Sequence, residues 1–329
     1  MPASTTPVPD LYTFQIGTES TWGTAVAQTA KLGLLDDLTL TPEIQAELIP
    51  DKRASLAPAY ASVLNYTTGT AKAKGICTYQ DMPYWLDSLF STATPSGANP
   101  YVRAYTGALG TIPTHKAFTL AKGTGQGYSH CYSLTGAIVN EMSVKIQTSK
   151  PWELDLSFIG KSVGTDTIDS LSDRTQTPIH ANNTTLYIDA VGGTIGTTAI
   201  STAWFGAELK IKNNVMPYAS AGASTPFSFR DARWEATLKL TMEVQSGTKA
   251  YLDSIIGSSL LQHQIRIKAT TGASAIQQFD IAGTLLKSPE IVKDQDGVSS
   301  FEFEYTAEYN STLAGFLAAS NTNTVASLA

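Results

Sequence analysis

A strictly alternating stretch occurs twice in this chain and limits what it can fold into. Residues 152–158 read Trp-Glu-Leu-Asp-Leu-Ser-Phe, and residues 301–305 read Phe-Glu-Phe-Glu-Tyr. Alternation of apolar and polar residues is the period of a β-strand with one buried face and one solvated face. The two stretches match at an offset of 147 residues and place acidic residues between apolar ones in both positions. The chain therefore repeats at least one strand, which suggests a larger repeated unit.

Other segments match in the same order along the chain. Residues 134–136 match 281–283 at the same offset of 147. Three more pairs, with offsets that grow toward the N-terminus, are 84–89 with 250–255, 37–40 with 208–211, and 23–25 with 196–198. Because all of these matches keep one order, the sequence predicts a duplicated domain whose second copy has shorter loops.

Each copy predicts the same succession of elements. A short strand leads through a Gly-Thr loop to a second strand, and a long irregular stretch follows, 42–68 in the first copy and 213–231 in the second. A third strand, a short helix and the closing strands come next, and Asp81 before Pro83 predicts a capped start for the first helix. The fold class is mainly β, with two similar β-sandwich or barrel domains that each carry one short flanking α-helix.

The repeat also predicts the domain boundaries. The last segment is rich in small polar residues, which is typical of a terminal tail that stays loose until it meets a partner. The predicted units are a first domain at 1–172, a polar linker at 173–183, a second domain at 184–312, and a C-terminal tail at 313–329.

Composition excludes several classes of protein. Only 15% of the 329 residues are charged, below the roughly 25% of ordinary globular domains, and the net charge is −6. An acidic molecule as a whole does not attract nucleic acid. No run of about 18 apolar residues and no basic-then-apolar leader occurs, so we expect a cytosolic product without membrane spans. For Cys77 and Cys131 we expect buried free thiols, with a disulfide or a metal pair as the alternative.

The sequence contains no convincing catalytic, cofactor or metal motif. Gly160-Lys161-Ser162 resembles the end of a phosphate-binding loop, but Asp155 stands where that loop requires glycine. Asp294-Gln295-Asp296-Gly297 resembles the start of a calcium loop, but Tyr305 stands where the bidentate glutamate belongs. The four histidines lack metal-ligand spacing. We therefore predict a protein that is not an enzyme, binds no cofactor or metal, and has a structural role.

Two segments of the first copy carry a family resemblance. Ile16-Gly17-Thr18-Glu19-Ser20-Thr21-Trp22-Gly23-Thr24-Ala25 resembles the entry segment of the tail tube proteins of long-tailed, siphovirus-type bacteriophages. Asp51-Lys52-Arg53-Ala54-Ser55-Leu56-Ala57-Pro58 resembles the long loop of that family, with its basic residue, serine and proline. The resemblance extends to the second copy mainly through the internal repeat, because residues 213–231 lack the pattern of a basic residue, serine and proline. The resemblance implies a β-sandwich or barrel with one helix.

The resemblance also implies a function and a set of partners. Six such domains form a ring in this family, and stacked rings form the tube through which DNA leaves the capsid. Two copies in each chain predict a homotrimeric, pseudo-hexameric ring, and a homohexameric ring with the second domains outside is the alternative. Implied partners are the chain itself and tail-tip, tape-measure and tail-terminator proteins, while DNA passes without specific binding. The expected location is the virion tail, after synthesis in the bacterial cytoplasm.

A different class of function stays open at this point. A virion surface or adhesin module that binds host glycan or protein would also be a β-rich, non-enzymatic chain. Such a module would favour exposed aromatic clusters or a triple-stranded fibrous segment, and neither is recognisable in the sequence.

Two sets of residues are candidates for assembly. The long first loop is expected to stack rings, or alternatively to fold back on its own domain, and its candidate residues are Leu48, Ile49, Arg53, Leu56, Pro58 and Tyr60. The carboxylates of the two acidic strands are expected to face the tube lumen, and they are Glu153, Asp155, Glu302 and Glu304. These carboxylates could instead lie on a solvated outer face, and the lumen could be lined by the strands that carry Lys72, Lys74 and Lys239.

Overall fold

The computed structural model describes residues 9–50, 59, 61–107, 109–124, 130–200, 203–245, 248–251, 253, 262–286, 293–295 and 297–328. The described residues form a mainly β protein. The strands of the first half are β1 (Thr13–Thr18), β2 (Ala30–Leu32), β3 (Leu35–Ile49), β4 (Ala61–Ile76), β5 (Tyr101–Thr106), β6 (Phe118–Gly123), β7 (Tyr132–Gln147), β8 (Glu153–Gly160) and β9 (Ser162–Thr165). The helix α1 (Met82–Leu89) lies between β4 and β5.

The second half is also built from strands. They are β10 (Thr184–Ala190), β11 (Ala199–Ile200), β12 (Trp204–Lys212), β13 (Met216–Tyr218), β14 (Ser228–Arg230), β15 (Glu235–Glu243), β16 (Gln262–Thr270), β17 (Ile276–Leu285), β18 (Lys293–Gln295), β19 (Val298–Ala307) and β20 (Leu317–Asn323). Residues 248–251 are helical, and the 3-10 turns are Pro9–Leu11 and Ala181–Asn183.

Eight strands form one continuous antiparallel sheet, called the joint sheet here. Their order is β3, β4, β8, β7, β12, β15, β19 and β18. The ladder between β7 and β12 joins the first half to the second, from Glu141↔Lys212 to Gln147↔Gly206. Two outer sheets flank it, in the orders β2–β1–β6–β7–β9 and β11–β10–β16–β17–β20–β5.

The apolar faces of the sheets and the helix α1 enclose one core that extends through both halves. Trp85 of α1 packs edge-on against Phe158 of β8, with ring centroids 5.8 Å apart. Tyr84 packs in the same way against Phe118 of β6 at 5.9 Å. The helix therefore lies between the joint sheet and the first outer sheet, and its aromatic residues fill the space between them.

The second half repeats this arrangement with different residues. Tyr251, in the helical residues 248–251, contacts Phe303 of β19 at 6.4 Å and His263 of β16 at 5.2 Å between ring centroids. The ladders also correspond, since β1–β6, β3–β4, β4–β8 and β6–β7 in the first half have the counterparts β10–β16, β12–β15, β15–β19 and β16–β17 in the second. Both halves thus order their strands in the same way.

Most of the stretch 42–68 is β-structure, which corrects the prediction of an irregular loop. β3 continues to Ile49, β4 begins at Ala61, and the two strands pair out to that point. Opposite Gln45 and Ala46, a bulge leaves Asn65 of β4 unpaired, and the apolar positions of β4 change phase there from Val63 to Leu64, so its sequence pattern is interrupted although the pairing continues. In the second half, β13 and β14 form a separate small hairpin.

The segment 313–329 contains a buried strand, which corrects the prediction of a loose tail. β20 pairs with β17 on one side and with β5 on the other. The Asn323 side chain donates to the carbonyl of Tyr79 at 2.8 Å, and the buried Arg103 guanidinium donates to the carbonyl of Val325 at 2.9 Å. The small polar residues suggested a tail, but their side chains satisfy buried backbone groups here.

Asp81 does not cap α1, contrary to the prediction from its position before Pro83. Its carboxylate makes no capping hydrogen bond and lies 2.5 Å from the guanidinium of Arg174. Burial raises the pKa of Asp81, and the charge of Arg174 opposes that effect. The ion pair ties the predicted linker to the start of the helix.

A buried carboxylate organises the Gly-Thr loop in each half. Glu19 accepts hydrogen bonds from the backbone N–H groups of Gly23 and Gly136, both at 2.7 Å. Asp189 accepts from the backbone N–H groups of Gly196 at 2.6 Å and Thr198 at 2.8 Å. Each carboxylate closes its loop by satisfying backbone donors that would otherwise be left unpaired.

The Asp189 contacts predict a pH-dependent stability. Burial acts to raise the pKa of Asp189, but hydrogen bonds from Thr197, Thr198 and Gly196 outweigh it and lower the pKa to about 2. Since the folded pKa lies below the ordinary 3.8, the stabilisation is complete above that value and is lost as the pH falls toward 2. We expect Asp189→Asn to lower the free energy of unfolding by about 2 kcal/mol at pH 7, and by about half as much at pH 3.

Urea unfolding of the wild type and the variant at both pH values measures this difference. The matched control is Asp253→Asn, which removes an exposed carboxylate and should change stability little at either pH. An equal loss of stability at pH 7 and pH 3 for Asp189→Asn would contradict the assignment.

Arg103 predicts how strongly β20 is held. Its side chain is 1% exposed and donates to the carbonyls of Val325 and Ala326, so its removal leaves buried acceptors unpaired. We expect Arg103→Met to lower the free energy of unfolding by about 2–4 kcal/mol. Lys249→Met, which removes an exposed charge pair, is the control and should cost less than about 0.5 kcal/mol. Equal midpoints for both variants in denaturant titrations would refute this role.

Candidate assembly surfaces

The polar face of the joint sheet carries all four candidate carboxylates. Strand alternation buries the apolar residues beside them, such as Leu154 of β8 and Phe303 of β19. Glu153 and Asp155 are exposed, and Glu302 and Glu304 are half-buried. The structure therefore brings the two acidic strands onto one surface, although β7, β12 and β15 separate them.

Lysines interleave with the carboxylates on this face. One row of directly paired residues crosses five neighbouring strands and alternates in sign, in the order Glu153, Lys145, Glu208, Lys239 and Glu304. Opposite charges on directly paired residues of neighbouring strands attract each other. The surface is therefore mixed in charge rather than acidic.

Ion pairs extend the same pattern to the two ends of the sheet. The Nζ of Lys74 lies 3.4 Å from Asp155, and the Nζ of Lys293 lies 3.4 Å from Glu302. Lys72 is exposed on the same face. The lysine strands and the acidic strands, which the sequence offered as alternative linings, thus belong to one surface. Since these pairs are solvent-exposed, each contributes little to stability.

Glu141 bridges the junction between the two halves. Its carboxylate lies 2.5 Å from the Nζ of Lys210 and 3.2 Å from that of Lys212, both on β12. Burial acts to raise the pKa of Glu141, but the hydrogen bonds from the two lysines lower it. In the sequence, Lys210 and Lys212 show only that two lysines share one face of β12, and they do not identify Glu141 of β7 as their partner.

The hairpin arm is the part of β3 and β4 at residues 43–49 and 61–67, beyond the reach of β8. Within the described part of the chain, only these two strands pair there, and the arm exposes large apolar side chains. Ile44 is 66% exposed and Leu48 is 64% exposed. Such a two-stranded ribbon is marginally stable by itself in water, and a cluster of exposed apolar side chains marks an interaction surface.

The register divides the arm into two faces. The pairs Ala46↔Leu64 and Leu48↔Ser62 place Leu48 and Leu64 on one face together with Ile44. Ile49 lies on the opposite face, near Val63. The prediction of Leu48 and Ile49 therefore identified two exposed residues that point in opposite directions, and it missed Ile44 and Leu64.

The remaining candidates of the loop lie outside the described residues. They are Arg53, Leu56, Pro58 and Tyr60, and their role in stacking stays a prediction. At the base of the arm, the N–H of Thr67 donates to the carbonyl of Ser224 at 2.8 Å, so the small hairpin of the second half supports the arm of the first.

The motifs that suggested chemistry have structural roles in the described part of the chain. Lys161 packs its side chain along Gly23, whose φ of +71° and close approach leave no room for a Cβ atom. Cys77 and Cys131 are buried free thiols, and burial raises the pKa of Cys131 to about 11. Within the described ranges, no three His, Cys, Asp or Glu residues cluster as metal ligands, and no helix has the length and apolarity to cross a membrane.

The Glu141 bridge predicts an unequal effect of two conservative substitutions. Glu141→Gln removes the charge that two partly buried lysines share at the junction, so we expect it to lower the free energy of unfolding by about 1–2 kcal/mol. Asp155→Asn removes one exposed ion pair of the same sheet and should cost less than about 0.5 kcal/mol. Guanidinium is ionic, so urea titration at low salt is the appropriate measurement. Equal effects of the two variants would contradict the bridge.

Comparison with known proteins places the chain in a family. A family model described as phage tail tube protein matches residues 13–307, which extend from β1 to the end of β19 and through both halves. No curated protein matches the chain. The predominantly β fold agrees with the family match. The chain belongs to the phage tail tube protein family and is a structural component of a virion tail.

Proposed function

We propose that three copies of this chain form a pseudo-hexameric ring, and that such rings stack into the tail tube of a siphovirus-type phage. The observation that carries the proposal is the joint sheet, which runs without a break through both halves of one chain. A second half that merely decorated the outside of a six-chain ring would not need to continue the sheet of the first half. The continuous sheet therefore favours three chains over six.

The corresponding ladders support a duplicated domain. Each half has a buried carboxylate at its Gly-Thr loop, an aromatic residue of a helix between two sheets, and an alternating acidic strand. Two domains in each chain and three chains in each ring give six similar units around the axis.

Strand geometry makes the proposed ring large enough for DNA. Three joint sheets of eight strands would close into a cylinder of 24 strands. With neighbouring strands about 4.8 Å apart, that cylinder is at least about 37 Å across at the backbone, and strand tilt widens it further. Its inner surface would be the polar face, because the other face packs against the core.

The mixed charge of that face suits a conduit. Glu153, Asp155, Glu302 and Glu304 would repel phosphates, while the neighbouring lysines would keep the wall from becoming a strongly negative barrier. The fields of such paired charges fade within a Debye length of about 8 Å at physiological salt. DNA would then pass without specific binding, since the described residues of that face alternate in charge and form no continuous basic surface to displace its counterions.

The hairpin arm would connect neighbouring rings. Seven strand residues beyond the sheet extend about 24 Å, far enough to reach a neighbouring ring. The face with Ile44, Leu48 and Leu64 would be covered there, which removes the exposed apolar surface of the isolated chain. The candidates Arg53, Leu56, Pro58 and Tyr60 lie in the sequence between the two strands of this arm.

The proposed tube also implies other tail proteins as partners and a location in the virion tail. Tube assembly implies contacts with tail-tip, tape-measure and tail-terminator proteins as well as with further copies of the chain. Synthesis would take place in the cytoplasm of the bacterial host, and the finished tube would carry DNA out of the capsid on ejection.

Electron microscopy of the purified chain tests the ring. We expect hollow rings or tubes, and class averages along the axis with six inner lobes, built from three chains by native mass spectrometry. Rings of six chains would overturn the duplicated arrangement. Monomers at every concentration that bind host glycans would overturn the tube and favour an adhesin.

The two faces of the arm provide a matched test of stacking. We expect the triple variant Ile44→Ser, Leu48→Ser, Leu64→Ser to form rings but to raise the critical concentration for tubes at least tenfold, because each lost apolar contact is worth about 2 kcal/mol. The control, Ile49→Ser with Val63→Ser, changes the opposite face and should keep tubes near the wild-type concentration. Sedimentation of assembled tubes measures both, and equal losses would refute a one-faced contact.

A further inference from the structure

We propose that β18 of one chain pairs with the outer edge of β3 in the next chain, and that this backbone ladder closes the ring. The inference rests on the proposed ring and specifies the contact that forms it. Among the described residues, β3 pairs only with β4, and β18 pairs only with β19. The joint sheet therefore ends in one open edge on each side, and an open edge is a template for another strand.

The junction between the two halves provides a model of this contact within one chain. There, β7 of the first half pairs with β12 of the second half. In the order of ladders, β3 takes the place of β12, because each precedes the strand that pairs with the acidic strand. β18 takes the place of the end of β7, because each pairs with the first residues of an acidic strand. The first half of the next chain would therefore pair through its β3 with β18, as β12 pairs with β7 within one chain.

Two independent markers set the equivalent positions. A bulge leaves Asp36 unpaired in β3 and Phe205 unpaired in β12, which aligns Asp37 with Gly206. The paired rows Asp37–Lys74–Asp155 and Gly206–Thr241–Glu302 give the same alignment, and their last members are 147 residues apart, the offset of the two acidic strands. This alignment differs by two residues from the sequence match of 37–40 with 208–211.

The aligned positions predict the register between chains. Within one chain, Lys145 pairs with Glu208 and also with Glu153 of the acidic strand. Lys293 pairs with Ser300, which is the counterpart of Glu153 at the offset of 147. Lys293 thus corresponds to Lys145. The predicted pairs between neighbouring chains are Thr39↔Lys293, Leu38↔Asp294 and Asp37↔Gln295.

Side-chain orientation agrees with this register. Paired residues of neighbouring strands point to the same face of a sheet. Thr39 is exposed on the polar face of β3, next to Lys72, and Lys293 reaches Glu302 on the polar face of β19. The same register places Asp294 opposite Leu38, the position of Ile146 opposite Ala207 in the junction, and the Asp294 carboxylate accepts from the N–H of Gly297 in its own turn.

A groove beside β3 provides room for the incoming strand. It has a volume of about 680 Å³ and lies between β3 and the residues of β1, β6 and β9. Its apolar wall includes Phe14 and Val163, and its rim carries Asp36, Asp37 and Lys122, whose Nζ lies 3.1 Å from the Asp37 carboxylate. The incoming strand would bring the ammonium group of Lys293 to this charged rim.

Unlike edges explain why the contact makes a ring. Pairing between two copies of the same edge would produce a closed dimer, whereas pairing between β3 and β18 is head-to-tail and repeats until the rotation closes. Three chains close the ring when every edge of the joint sheet has a partner.

Disulfide trapping tests the register directly. Thr39 and Lys293 of one chain lie at opposite ends of eight strands, at least about 30 Å apart, so a disulfide between cysteines at these positions must join different chains. In the double variant Thr39→Cys, Lys293→Cys, we expect mild oxidation of assembled rings to give a covalent trimer in non-reducing gels. The matched control, Thr41→Cys with Lys293→Cys, is two residues out of register, which adds about 7 Å, and should yield at least tenfold less trimer.

Microscopy of the wild type and of the reduced variants separates this inference from the proposed function. In one outcome, all of them form rings of three chains while the matched pair fails to crosslink or the shifted pair crosslinks equally well. That result would refute the contact between β18 and β3 and would leave the proposed ring supported. If the wild type forms no rings, both the edge contact and the proposed ring are refuted. If only the double variant fails to assemble, hydrogen exchange on wild-type rings decides, because residues 35–41 must become protected relative to the monomer, and unchanged exchange there would refute the contact.

Discussion

The backbone ladder between β7 and β12 is the contact on which the rest of the molecule depends. It converts two half-sheets into the joint sheet, places both acidic strands on one face, and brings Glu141 between two lysines. Because both faces of the joint sheet are continuous across this ladder, the core is also shared between the halves. A chain that lost it would keep its local strands but would have two additional open edges, which are sites for unwanted association.

The sequence predicted the strands and helices well where a regular period was present. The alternation at 152–158 and 301–305 identified β8 and β19 and their buried faces. The same alternation leaves the register undetermined, since a slip of two residues keeps every side chain on its face. For this reason the match of Leu38 with Leu209 looked sound, while the ladders align Leu38 with Ala207.

The candidate surfaces were predictable only where one segment carried the whole signal. Exposed Leu48 and Ile49 could be anticipated because the segment around them is more apolar than an ordinary loop. The charge balance of the polar face could not, because Lys145 and Glu208 are far apart in sequence and meet only through the ladder between the halves. Long-range pairing is the information that alternation and composition lack, and it decides the electrostatics of the surface.

The position of β20 has a consequence for the order of events during synthesis. Arg103 and Asn323 are 220 residues apart in the chain, yet they meet where β20 completes the sheet beside β5. On the ribosome, β5 therefore waits for nearly the whole second half before its partner strand emerges. The sheet that contains β5 is therefore completed late, when both halves are already present in one molecule.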